Sequence, residues 1–597
     1  MPMKSASGGE LEAQLLAAVS ADELWRQTES IARWQRHSGT REEREAFDYI
    51  AGVMRDLGLD VKRYDADALI GLPGKSSLEV VAPESLELEC ITHSYAAATG
   101  PDGRSGELVF LGGGRAEDYV SNDVRGKIAV LDGLAMPDRV WKAEQAGAIA
   151  QIYISDEHLH EMCISTIWGV PTPETSWRLP RNAMVSVRAA SGNRLRELAQ
   201  TGPVRVRIRT SGTLEWTTIP VLTADLVAPR DPEHFVLFSG HVDSWYYGAM
   251  DNGSANATMI EVARLLSSHR GELRRGIRFG FWSGHSHGRY AGSAWYADNH
   301  WRELRRRCVA HVNVDSTGGK GATLLSDTIT MAESYDFAAE IIKELSGQEL
   351  GYKRANRSGD QSFWGVGVPS LFMSLSHQPA SDSATSAAFA SLTGPNPSTG
   401  GSGGLGWWWH TPDDTLDKLD RDNMVRDAKI YVATLTRLCT AQVLPFDYSA
   451  AAQEIADHLT RLQSAAGDRL DLSEPIGLAR ELETDLSAFR SDVERRLAGN
   501  QVDEAELATL NESLVRLGNA LIPLNYSKVG PFDHDLAVSI SPVPTLAPAA
   551  ELATLDPASR EYRFLKTRLV RERNKMSAGL DEARAIVRAA SRRPALA

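Results

Sequence analysis

Cysteine is scarce in this chain: Cys90, Cys163, Cys308 and Cys439 are the four among 597 residues, and no two form a C-x-x-C pair. Neither a disulfide framework nor a thiolate zinc site is indicated, and the four read as buried thiols. Basic residues are also in deficit, 64 Lys and Arg against 78 Asp and Glu, giving a net charge of −14 with no long Lys/Arg run. Phosphate-led binding to nucleic acid needs a concentrated basic face, so none is expected. No run of about eighteen apolar residues is present, which argues against a membrane span. The first twenty residues, MPMKSASGGELEAQLLAAVS, lack the apolar core of a secretory signal. A cytoplasmic protein without membrane or nucleic-acid partners is expected. No internal repeat of solenoid period is found.

What is present is an ordinary globular composition, 42% hydrophobic and 24% charged, on a chain long enough for roughly three or four domains. Apolar residues every three or four positions predict helices between about Leu11 and Gly58, with Thr40 and Glu43 spaced as a capping box. The alternating run LDVKRYDADALIGLPG predicts a strand. Between 75 and 215, short β-rich runs such as ELVFLGG, GKIAVLDG and AIAQIYIS are separated by Gly, Asp and Pro. Within them, NDVRGKIAVLDG followed by WKAEQAGAIAQIYI resembles the protease-associated domain.

From 216 to 447 strands and helices alternate: HFVLFSGH, SANATMIEVARLLSSH, IRFGFWSG, RYAGSAWYADNHW, RCVAHVNVD. That pattern predicts an α/β fold with a doubly wound mixed sheet covered on both faces and its chemistry at the carboxyl ends of the strands. Segment 378–405, rich in Ser, Ala and Gly without periodicity, is read as a mobile loop, either a cover for the site or an uninvolved surface loop. After Pro445 the pattern is of long helices with i,i+4 charge pairs. The expected division is 1–74 and 216–447 for the two parts of the α/β domain, 75–215 for the β-rich insert and 448–597 for a helical domain.

Candidate chemistry begins at GHVDSWYYGAMDNGS. His241 ends an apolar strand, Asp243 follows two residues on, and Asp251 lies just before a helix. His241 and Asp251 suit a divalent metal, and Asp243 suits support of the imidazole's other nitrogen. A plain hydrogen-bonded strand-end histidine is the competing reading. Asp315 in HVNVDS and His410 in WWWHTPDD add a second carboxylate and a second imidazole at strand ends, the donor types a zinc-like ion prefers.

The ordered motifs GHVDSW, GAMDNGS, FWSGHSHG, VNVDS and WWHTPDDT resemble the zinc aminopeptidase and glutamate carboxypeptidase II family, clan MH metallopeptidases that also include the transferrin receptor. The resemblance extends over the insert, the VLPFD segment at 443–447 and the C-terminal helices, a dimerisation domain in that group, so a homodimer is expected. It implies that His241 and Asp315 bind one zinc, that Asp251 bridges two ions, and that His410 serves the second. It also implies a cis peptide after Asp251.

One departure is sharp. Where the family has W-x-x-Glu-Glu-x-G, this chain has Trp282, Ser283, Gly284, His285, Ser286, His287, Gly288. His285 stands at the position of the general base and Ser286 at that of a carboxylate ligand, while Trp409 replaces a tyrosine often found before the last histidine. Two imidazoles two residues apart point the same way if the backbone is extended. His285 or His287 can then act as base or as metal ligand; the alternatives are that both fill a degraded site or contact substrate. Arg289, Tyr290, Asp360 and Trp409 are candidate substrate contacts, whereas His93, His158, His160, His300, His311 and His377 read as surface or core residues.

The expected cofactor is a divalent metal, one or two zinc ions, with manganese or nickel as alternatives. The expected function is hydrolysis of an amide or peptide-like bond in a small molecule or short peptide, with His285 as base. The competing functions are a non-hydrolytic single-metal reaction, lyase or cyclisation, and a catalytically silent binding protein like the transferrin receptor.

Overall fold

The computed structural model describes residues 6–372, 374–393 and 403–591. Its strands are β1 (Asp60–Ala82), β2 (Leu86–Leu88), β3 (Arg104–Phe110), β4 (Ile128–Asp132), β5 (Ala150–Ile154), β6 (Ala183–Val187), β7 (Arg205–Leu226), β8 (Asp231–His241), β9 (Arg275–Trp282), β10 (Cys308–Asn313) and β11 (Ser370–Leu371). The order across the sheet is β11-β10-β8-β9-β7-β3-β4-β5-β6, with β1 alongside β7 and β2 alongside β1. The arrangement is the mixed α/β architecture expected from the alternation of strands and helices.

Two long strands organise it. β1 and β7 run antiparallel from Asp60↔Asp225 to Ala82↔Arg205. At one end β7 pairs with β9 through Val221–Leu226, joining the sheet β11-β10-β8-β9. At its other end β7 pairs with β3 through 205–208, joining the parallel set β3-β4-β5-β6. The expected boundaries at 74/75 and 215/216 therefore fall inside continuous strands. The strand–helix–strand pattern read near residues 122–154 forms as β4, the helix Pro137–Gln145 and β5.

Both faces of the central strands are covered: every residue of β9 and β10, and of β8 from Phe235 onward, is buried, Arg275 and Arg278 of β9 included. Thr40 caps the helix Arg41–Asp56 by accepting from Glu43 N, but the Glu43 carboxylate returns to Gly39 N (2.7 Å) rather than to Thr40. Within 378–405 the structure has a helix, Ala384–Thr393, where no periodicity was legible. Its start is fixed from outside, since Ala384 N donates to Asp156 Oδ2 (2.9 Å), and Ala384 and Ala388 bury in the cluster containing Trp245. Residues 394–402 of that segment lie outside the described residues. After Asp447, whose side chain caps the next helix, come Tyr448–Ala466, Ser473–Ala498, Glu504–Tyr526 and Arg560–Ser591. None of the described helices is long and apolar enough to cross a membrane.

The seam between the α/β part and these helices contains a pH-sensitive weakness. Glu333, whose carbonyl accepts from Asp447 N (2.8 Å), is buried with neither carboxylate oxygen hydrogen-bonded. Burial pushes its pKa up from 4.5 to about 7. The folded chain holds this proton more tightly than the unfolded chain, so its stabilisation is complete below about pH 4.5 and is lost as pH rises through about 7. Glu333→Gln is expected to leave the melting temperature unchanged near pH 4.5. Near pH 8 it should raise stability by up to about 3 kcal/mol, the energy equivalent of that shift. Parallel urea melts at the two pH values check it, and equal effects at both would contradict the assignment.

Candidate metal centre and active site

β8, β9 and β10 are neighbours, and β8 is parallel to both, so their carboxyl ends lie side by side. His241 is the last residue of β8, His285 lies three residues beyond β9, and Asp315 two beyond β10. Asp251 sits in the kinked turn Ala249–Ser254 that leads into the helix Ala255–Ser267. The Asp251–Asn252 peptide is cis, as the resemblance implied. Asn252 ties the three segments together: its amide donates to His241 O (3.2 Å) and Val314 O (3.3 Å), and its Oδ1 accepts from Ser316 N (2.9 Å). The segment bearing His410 also bears Asp414, whose carboxylate accepts from Met250 N (2.9 Å) and Asp251 N (3.0 Å). Burial, with the charge of Asp251, pushes the Asp414 pKa up to about 7.

Five of the residues singled out in the sequence meet here. His241 Nε2 lies 3.1 Å from Asp251 Oδ1 and 3.5 Å from Asp315 Oδ2, and His410 Nε2 lies 3.2 Å from Asp251 Oδ2. The His285 ring stacks on His241 at 3.7 Å between centroids, and His241, His285 and Asp315 can each direct a ligand atom to a common centre.

At 3.1–3.5 Å these contacts are close to the spacing of donor atoms that share one ion. A tetrahedral ion with ligands at about 2.0–2.2 Å separates neighbouring donor atoms by about 3.3–3.6 Å. His241 Nε2 and Asp251 Oδ1 are buried and neither has a hydrogen-bond partner, despite their proximity. The other nitrogens explain why. His241 Nδ1 donates to Asp243 O (2.8 Å) and His410 Nδ1 donates to Glu161 O (2.7 Å). With the proton held at Nδ1, each Nε2 keeps its lone pair, the tautomer a metal ligand requires. The surroundings call for positive charge: burial lowers the His241 pKa, yet Asp315, Asp243 and Asp251 raise it well above the ordinary value. A divalent cation fits this donor set.

The second ion position of the resemblance fares worse. His410 and Asp251 are in place, but the third ligand would be the Ser286 hydroxyl, a weak ligand at neutral pH. Ser286 Oγ is buried without a partner. Among the described residues, the group with metal-compatible spacing is His241, His285 and Asp315.

The turn after β9 separates the two added histidines. Residues 286–289 form a turn, with Gly284 in the left-handed region (φ +72°), so the extended backbone that would point them the same way is not adopted. The Asp243 carboxylate holds the turn, accepting from His285 N (3.2 Å) and Ser286 N (2.8 Å), as well as from Ser38 Oγ (2.6 Å). Asp243 thus supports His241 through its carbonyl, not its carboxylate, which stands 3.7 Å from Nδ1. His285 faces Asp360: Nδ1 to Oδ2 is 2.9 Å, and Ser293 Oγ donates to Asp360 Oδ1 (2.8 Å). Asp360, expected at a substrate contact, meets the Nδ1 side of the His285 ring. His287 turns toward Ser38, His37 and Trp245, and burial lowers its pKa well below the ordinary value.

The remaining candidates divide. Tyr290 is buried with its ring edge-on to His285 at 4.7 Å, whereas the Arg289 guanidinium donates to Ala537 O (3.1 Å). Trp409 stacks on His410 at 3.5 Å, and its carbonyl meets His160 Nδ1 at 2.6 Å. His160, read as a bystander, is therefore next to the site. Also missed were Ser38 and His37, in a stretch that reads only as a turn, Trp245, and Glu161, which pairs with His410 twice through its backbone. Burial pushes the Glu161 pKa up to about 7, against the hydrogen bond its carboxylate accepts from Tyr246 Oη.

Comparison with known proteins bears on the fold. Residues 222–435 match the model of peptidase family M28. A protein described as a probable glutamate carboxypeptidase, VP8 of Zea mays, is 21% identical over 501 residues, covering 72% of this chain and 68% of the relative. The structure of a peptidase M28 precursor from Shewanella amazonensis superposes with a TM-score of 0.56 at 17% identity, covering 73% of this chain and 97% of that one. That of BSAP, a zinc aminopeptidase from Bacillus subtilis, gives 0.51 at 20% identity, with 70% and 95% covered. The fold and the family match lead to one conclusion: residues 222–435 of this chain form a domain that matches peptidase family M28.

Proposed function

We propose that the chain hydrolyses an amide or peptide-like bond of a small molecule or short peptide, using one zinc ion at His241, Asp251 and Asp315 with His285 as general base. The observation that carries this reading is the pair of Nδ1 hydrogen bonds, His241 to Asp243 O and His410 to Glu161 O, which leave two Nε2 lone pairs beside the Asp251 carboxylate. When bound, the ion supplies Lewis acidity for activating water and polarising a carbonyl. The remaining work falls to side chains. His285 Nε2 receives the proton of the attacking water, and Asp360 at Nδ1 fixes the tautomer and stabilises the imidazolium that forms. The same proton then passes from His285 to the departing amine. Tyr290, edge-on to His285, keeps that ring in place and keeps bulk water from one side of it.

Zinc content tests the ion count directly. After preparation in zinc-supplemented medium, inductively coupled plasma mass spectrometry is expected to find one ion per chain, as for a catalytic site with three protein ligands. Ser286→Glu restores the missing carboxylate and is expected to raise the content to two. A wild-type chain that retains no zinc would end the hydrolase reading. With zinc in place, a product screen over dipeptides, N-acyl amino acids and simple amides then identifies the substrate class.

A further inference from the structure

The replacement of the second carboxylate ligand coincides with an unusual cluster. Beside His410, the Trp245 and His287 rings bury nitrogens that no protein group satisfies, Nε1 and Nε2, and the residue preceding His287, Ser286, buries an unpartnered Oγ. All three residues are at most 2% exposed. The Trp245 ring is 4.3 Å from His287 and 5.2 Å from His410, so the cluster adjoins the ligand that would have served a second ion.

The hydrogen bonds fix what the cluster offers. Ser38 N donates to His287 Nδ1 (3.3 Å), and Ser38 Oγ gives its own proton to Asp243 Oδ2 (2.6 Å). His287 Nδ1 is therefore an acceptor, and the ring proton sits on Nε2. Trp245 Nε1 is a donor by nature, and a serine hydroxyl can donate. Unlike the His241 and His410 ring nitrogens, which keep lone pairs for a cation, this neighbouring set presents N–H and O–H groups. Buried donors without acceptors are uncommon and call for a partner from outside the chain.

We propose that His287, Trp245 and Ser286 form an oxygen-binding subsite, receiving the carbonyl oxygen of the substrate as negative charge develops on it, in place of a second metal ion. This deepens the hydrolase reading and rests on it. The chemistry is that of an oxyanion hole: fixed donors in a dry site stabilise charge that appears only during reaction. A phosphinate group, with two oxygens on a tetrahedral phosphorus, would engage both ion and donors. A simple thiol engages the ion alone.

The test is calorimetric binding of a phosphinic pseudodipeptide and of 2-mercaptoethanol to the zinc-loaded full chain, in wild type, Trp245→Phe and His287→Leu. Both variants are expected to weaken phosphinate binding at least tenfold, with thiol affinity and zinc content unchanged. Unchanged phosphinate affinity in both variants overturns the subsite, as does an equal fall for thiol and phosphinate, which would mean that the ion itself was disturbed. A wild type that holds zinc and binds the thiol but not the phosphinate also overturns it. Failure of the hydrolase reading looks different, because the wild type would then retain no zinc and bind neither probe.

Discussion

Asp251→Ala should remove zinc and turnover together, lowering kcat/KM by about a thousandfold or more, since Lewis-acid stabilisation is worth several kcal/mol and each 1.4 kcal/mol is tenfold. Asp251 turns one oxygen to each of the two ring nitrogens, at 3.1 Å from His241 and 3.2 Å from His410. Without it, the pair of imidazoles loses the charge between them, and Asp315 is the one carboxylate of the proposed ligand set left beside His241. The backbone there is held independently by Asp414 and Asn252, so the variant is expected to fold. Metal analysis alongside steady-state kinetics decides the matter: full zinc content with undiminished turnover would remove Asp251 from the centre.

The second large effect is expected at His285. His285→Ala should lower kcat by about 10²–10⁴-fold, the usual contribution of a positioned general base, while zinc content stays near the wild-type level. Asp360→Asn should lower kcat in the same direction but less, because the amide still meets Nδ1 yet stabilises the imidazolium poorly. KM should move little in either variant, since neither group is assigned to ground-state binding. If His285→Ala instead empties the site of zinc, its role is that of a ligand, which its stacking on His241 would also allow. Retention of both metal and full turnover would exclude both roles.

The legible part of the site was its local part. His241 and Asp315 stand where an apolar strand stops and Asp251 beside a helix start, and such places can be read from a handful of neighbouring residues, whereas His410, expected at a strand end, lies in the turn 407–410. The sheet followed for the same reason, since β8, β9 and β10 carry the short apolar runs FVLF, FGFW and CVA. What escaped is what depends on distant pairing. His285 meets Asp360, 75 positions away, and nothing in the sequence around either predicts it. The divergence of His285 and His287 follows from a turn between Gly284 and Gly288, pinned by Asp243 from 42 positions upstream. Ser38, His37 and Glu161 belong to stretches whose local patterns say turn or connection, and they gain their roles only when the chain closes on itself. The helix Ala384–Thr393 escaped because its start is held by Asp156 rather than by its own periodicity.

Glu161 belongs to the stretch between β5 and β6, yet it is laced to His410 in both directions: Glu161 N donates to the histidine carbonyl, and the histidine Nδ1 donates back to Glu161 O. The smaller parallel set is thus no detachable ornament on a self-sufficient catalyst. Lifting it off would strip His410 of the group that fixes its tautomer, so any hinge between the two halves would also act as a switch on the metal-facing nitrogen.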